Sequence, residues 1–142
     1  MAEILEFDLA HEYSIYKERI SIETILQSGE RSVIFEAKVD TGSTYCVFER
    51  GRGEALGIVI EEGTLIQLGT ATGSFRAFGH ELVLTVLGIE TVSTVYFAES
   101  DFFDRNVLGR IGWLDRVKLG LIEREGKKTL SKNSKLIYVI IA

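Results

Sequence analysis

From Val33 to Val39 the side chains alternate: Val33, Phe35, Ala37 and Val39 fall on one side of an extended backbone, and Ile34, Glu36 and Lys38 on the other. A repeat of two marks a half-buried β-strand, because successive Cβ atoms point to opposite faces. Strand-like segments recur along the chain. Residues 13–26, rich in Ile, Tyr and Thr, read as one or two further strands. Residues 64–88 read as two strands joined by a turn near Ala71 to Ser74. Within the second, LVLTVL is apolar on both faces, as a central strand is. Residues 91–99 are rich in β-branched side chains and read as another strand, and LIYVIIA at 136–142 as a last, buried one. Proline is absent, so turns fall to the 14 glycines and to Asn, Asp and Ser.

Helix is scarce. Residues 49–58 hold at most a short turn of helix ending near Gly57. GWLDRVKLG, residues 112–120, places Trp113, Arg116, Val117 and Gly120 at i, i+3, i+4 and i+7 and is the best helical candidate, with a turn following at REGKKT. Trp113 is expected in the core. Together these segments predict an all-β fold, a sandwich or barrel with one or two short helices. Its 142 residues suit a single domain spanning 1–142, and no linker or long repeat divides them.

Charge and composition exclude several classes of function. The chain is 46% hydrophobic and 26% charged, which is the composition of a folded domain. Its net charge of −5 is spread without a basic stripe, so no nucleic-acid partner is expected. The longest apolar run is too short to span a bilayer, so no membrane is expected either. The N-terminus lacks a basic segment followed by an apolar one, and the single cysteine, Cys46, cannot form an intrachain disulfide. Both features set the expectation of a cytoplasmic protein. Cys46 reads as a small buried hydrophobe and not as a nucleophile. His11 and His80 lack ligand spacing, so no metal is expected, and GTATG lacks the Lys-Ser/Thr pair of a phosphate loop.

The alternating strand ends in Asp40-Thr41-Gly42-Ser43. Asp40 leaves the strand where its backbone is anchored, and Gly42 permits a sharp turn and close approach of another backbone. Thr41 and Ser43 add hydroxyls that can hold a loop or donate to a carboxylate. Taken alone, this is an Asx-turn closing a hairpin, as in many unrelated β domains. Two further features follow in order: the Gly-rich hairpin LGTATGSFRAFG at 68–79, and Val107-Leu108-Gly109-Arg110.

In that order the segments resemble the retroviral-like (retropepsin-like) aspartic proteases, in the form of cellular stand-alone domains, over roughly residues 13 to 125. The family motif is two apolar residues, Asp, Thr or Ser, Gly, then Ser or Ala; Lys38 stands at one of the two apolar positions. The resemblance implies a closed β-barrel or sandwich with a flap. No second Asp-Thr/Ser-Gly is present, so it also implies a homodimer in which two Asp40 carboxylates share a proton and activate water against a peptide or protein substrate, without a cofactor. Asp40, Thr41 and Gly42 would be catalytic: Thr41 bonds across to its symmetry mate, and the Gly42 carbonyl meets substrate. Ser43 would hydrogen-bond the outer oxygen of Asp40, and Gly109 and Arg110 would support the loop. Ala71, Thr72, Gly73, Ser74 and Phe75 would form the flap. Phe75 and Phe78 either line a substrate pocket or pack the hairpin. Where retroviral enzymes carry a second aspartate that pairs with the arginine, this chain has Thr44. The C-terminal strand would lie at the dimer interface, cover the core beside it, or pair wholly within the chain. The competing reading is a catalytically silent dimeric module of the same fold that binds extended peptides or partner proteins.

Overall fold

The computed structural model describes residues 9–14, 19–122 and 134–141; the backbone alone is described for 9–14, 122 and 134–141. The protein is mostly β-sheet. Strands β1 (Leu9–Ser14), β2 (Ser21–Ser28), β3 (Arg31–Val39) and β4 (Val47–Phe48) are followed by a short helix α1 (Arg50–Ala55) and a 3-10 turn (Ile60–Glu62). Then come β5 (Thr64–Thr70), β6 (Gly73–Val86), β7 (Ile89–Ala98), β8 (Val107–Leu108), a second 3-10 turn (Leu114–Arg116), β9 (Val117–Ile122) and β10 (Ser134–Ile141).

Seven strands form one sheet in the order β2-β3-β8-β4-β7-β6-β5, and a further pairing of β2 with β6 returns the hydrogen-bonded order to its start. The length of β6 makes this closure possible. Its first half pairs with β5, from Gly73 to Gly79, and its last residues, Val83 to Val86, pair with β2. The apolar faces meet inside. Ile22 and Leu26 of β2, Phe35, Ala37 and Val39 of β3, Leu82, Leu84 and Val86 of β6, and Val95 and Phe97 of β7 are buried around Phe48. On β3 the alternation is the one read from the sequence, with Ile34 left 61% exposed on the outer face. The two-residue turn between β6 and β7 puts both Leu87 (φ 53) and Gly88 (φ 74) in left-handed conformations, the geometry that matches the twist of a tight hairpin. α1 ends before Gly57, whose φ is +76.

The helix expected over 112–120 does not form. Gly112 turns the chain at φ +104, only Leu114–Arg116 make a 3-10 turn, and Val117 is already extended and begins β9. Pairing of β9 with β10 overrides the local periodicity. Trp113 and Val117 are nevertheless buried, and Trp113 lies in the core as expected. The C-terminal strand β10 lies between β1 and β9, hydrogen-bonded on both edges within the chain. Both of its edges are therefore used, and neither is open to a strand from another copy. The turn expected at REGKKT lies outside the described residues. Among the described residues no helix is long and apolar enough to cross a membrane.

Candidate active site

β3 and β4 are consecutive in the chain but not neighbours in the sheet. β8 lies between them, parallel to β3 and antiparallel to β4. Residues 40–46 must therefore cross over the end of β8. The crossing is close-packed. A Cβ on Gly109 would stand 2.6 Å from the Tyr45 carbonyl carbon, nearer still to its oxygen, and 2.9 Å from the Ser43 carbonyl oxygen. Only glycine lets the loop lie this near the strand below it.

Hydrogen bonds stitch the loop down on both sides. Asp40 N–H donates to the Leu108 carbonyl (3.0 Å), Arg110 N–H to Ser43 O (2.9 Å), Ile111 N–H to Thr44 O (2.8 Å) and Tyr96 N–H to Cys46 O (2.9 Å). Gly109 N–H points at Cys46 Sγ (3.3 Å). With the loop's polar groups paired in this way, little freedom is left to its backbone.

The carboxylate of Asp40 is half-buried. Its Oδ1 accepts the Gly42 N–H at 3.0 Å, an Asx-turn within the loop rather than at the end of a hairpin. Its Oδ2 faces Lys38 Nζ at 3.3 Å. Lys38 and Asp40 are two residues apart along an extended backbone, which sets them on the same side. In the family motif Lys38 is a misfit; its spacing of two from Asp40 is the sequence signal that the two side chains meet. Ser43 departs from expectation. Its hydroxyl donates to Tyr45 O (2.8 Å) and so fastens the loop to itself instead of holding the outer oxygen of Asp40. Thr41 is exposed and makes no hydrogen bond among the described residues.

Arg110 lies beside the loop, with Thr41 and Thr44, in a cleft of about 430 Å³. Its side chain is exposed and makes no ion pair among the described residues. Thr44, uncharged, explains the missing partner.

Asp40, Thr41, Gly42, Ser43, Gly109 and Arg110 are thus brought together. The turn residues Ala71 to Ser74 are not joined to them by any hydrogen bond among the described residues. They close their own hairpin through Thr70 Oγ1 to Gly73 O (3.1 Å) and Gln67 Nε2 to Ser74 Oγ (2.8 Å). From Gly69 to Ser74 every residue is exposed. Phe78 is buried in the core, which settles its role as packing. Phe75 stacks on Phe103 with ring centroids 4.9 Å apart, tying the hairpin to the segment before β8. His80 is occupied structurally, with Nε2 2.9 Å from the Ile60 carbonyl. No group of three or more His, Cys, Asp or Glu that could hold a metal occurs among the described residues.

Burial pushes the Cys46 thiol up to about 11. The raised value means that the folded state disfavours the thiolate. Its stabilising effect is complete below the unfolded thiol's ordinary value of 9.0 and is lost as pH rises through the folded value. Between pH 9 and 11 the protein should lose about 2 kcal/mol of stability from this group. A Cys46→Ser variant should lack that alkaline slope, which denaturant melts across the range will show. Equal slopes in the two proteins would contradict it.

No protein-family model matches the chain, and no curated protein matches it.

Proposed function

We propose that the chain is an aspartic endopeptidase of the retropepsin-like kind, its active site completed by a second copy of itself. The observation that supports this most is the Asp40 loop on Gly109. It presents a half-exposed carboxylate at the end of a half-buried strand, fixed through one oxygen, with an exposed threonine beside it. Hydrolysis by activated water needs one group to take a proton from water and another to polarise the scissile carbonyl. A single carboxylate cannot do both at once. A two-fold axis beside Asp40 supplies the second, and two carboxylates in contact share one proton.

On this reading the ring of strand pairings is the barrel of each subunit. The β5–β6 hairpin is the flap, which lies over an extended peptide, offers backbone hydrogen bonds and excludes water. Thr41 bonds to its mate across the axis. No metal or organic cofactor enters the reaction.

The ion pair of Lys38 with Asp40 favours a second reading, a silent dimer of the same fold that binds extended peptides or partner proteins. An ammonium on the carboxylate competes with the shared proton that hydrolysis requires. Proteolysis of an unstructured substrate separates the two. The enzyme cleaves at mildly acidic pH as a species of twice the chain mass, and a pepstatin-like inhibitor stops it. Peptide binding with no turnover selects the silent module. A strict monomer at all concentrations removes both.

A further inference from the structure

Alongside β3 lies a second cleft of about 350 Å³, and Lys38 connects it to Asp40. Arg19, Lys38 and Arg105 bring three cations to it, against the carboxylates of Glu36 and Asp104. Glu36 accepts a hydrogen bond from Ser21 Oγ at 3.1 Å. Arg19 and Arg105 are exposed and take part in no ion pair among the described residues. The backbone beneath is fixed: Lys38 N–H donates to the Asn106 carbonyl at 2.8 Å, and Lys38 pairs with Ser21 across β2 and β3.

The charge balance of this cleft changes when the active site is assembled. In a single chain Lys38 is matched by Asp40. In the proposed dimer two Asp40 side chains share a proton and carry one negative charge between them, while two Lys38 side chains carry two positive charges. One ammonium per site then lacks its counter-ion, on the wall of a cleft where Arg19 and Arg105 already stand against only the Glu36 and Asp104 carboxylates. Covering that charge with a bound peptide and excluding water is costly unless the peptide brings an anion. Arginine offers that anion a planar fork of donors and Lys38 a point charge.

We infer that the peptide taken at this site carries an aspartate or glutamate next to the bond that is cut, its carboxylate received by Lys38, Arg19 and Arg105. The position relative to the cut bond rests on the protease reading; the recognition of a carboxylate rests on the cleft. Two readouts on matched peptides test it, with Glu, Gln or Leu on either side of the scissile position. The first is kcat/KM of the wild-type protein. The second is affinity for the Asp40→Asn variant by fluorescence anisotropy, which needs no turnover.

The Glu peptide should be preferred over Gln by about tenfold in each at low salt, and the preference should shrink as salt screens it. An Arg19→Ser/Arg105→Ser double variant, folded by its melting curve, should bring the ratio to within about twofold. Equal or better use of Gln or Leu overturns the inference, as does a ratio that the double variant leaves unchanged. Selective binding of Glu peptides without hydrolysis by the wild type keeps the carboxylate site and overturns the protease reading. Hydrolysis indifferent to Glu does the reverse.

Discussion

Replacing Asp40 by asparagine is expected to lower peptide hydrolysis by about 10³-fold or more and to leave the dimer intact. The substitution keeps the shape of the side chain. The amide oxygen can still accept the Gly42 N–H that Oδ1 accepts now, so the loop keeps its turn. What disappears is the ability to take a proton from water and to share one with the symmetry mate. The lost ion pair with Lys38 is partly exposed, with side chains 39% and 32% accessible, and its removal should change stability little.

Mixing then tests whether one site is built from two chains. If wild-type and Asp40→Asn chains are co-refolded in equal amounts and assort freely, about a quarter of the dimers have both carboxylates. Activity at fixed total protein should follow the square of the wild-type fraction. A linear fall would mean that each chain carries a complete site, and the shared-carboxylate mechanism would be wrong. Sedimentation of the variant at the wild-type mass guards against loss of the dimer as the cause.

The parts of this site that could be read from sequence are those whose geometry is local. The alternation over β3 shows which side chains face the core, and hence that Asp40 emerges at the end of a half-buried strand. The β5–β6 hairpin was legible from its Gly/Thr/Ser turn between strand-like arms, and α1 from a glycine that ends it. The Lys38–Asp40 pair was legible too, since residues two apart on a strand share a face.

What was not legible depends on distant partners. β8 has two residues, too few to show a period, and its insertion between β3 and β4 is a property of the whole sheet. Trp113 and Val117 mimic a helical stripe because both are buried, yet β10 draws the chain from Val117 onward into a strand. The stacking of Phe75 on Phe103 joins two segments with nothing in either to announce the other. Ser43 follows a carboxylate and precedes backbone carbonyls, and composition cannot rank these acceptors; the fold gives it Tyr45 O.

Gly109→Ala should have the largest effect on stability of any single methyl added to the chain near the site. The new carbon would meet backbone, not a side chain that can turn away: the carbonyl groups of Tyr45 and Ser43, both inside contact distance. The loop would have to lift from β8. Lifting it stretches Arg110 N–H to Ser43 O and Ile111 N–H to Thr44 O together, and displaces the Asp40 N–H that donates to Leu108 O. Overpacking with loss of buried backbone hydrogen bonds is expected to cost about 3 kcal/mol or more, or a fall in Tm of about 10 °C. Hydrolysis should fall even in the protein that remains folded, because Asp40 moves with the loop. Gly51→Ala is the matching control. It lies in α1 with nothing within 4 Å of the added carbon, and a helical glycine replaced by alanine gains up to about 1 kcal/mol. The two substitutions add the same methyl group and should shift the melting temperature in opposite directions. If Gly109→Ala melts with the wild type, the loop does not rest on β8 as described, and the fixed carboxylate on which the hydrolytic reading depends is lost with it.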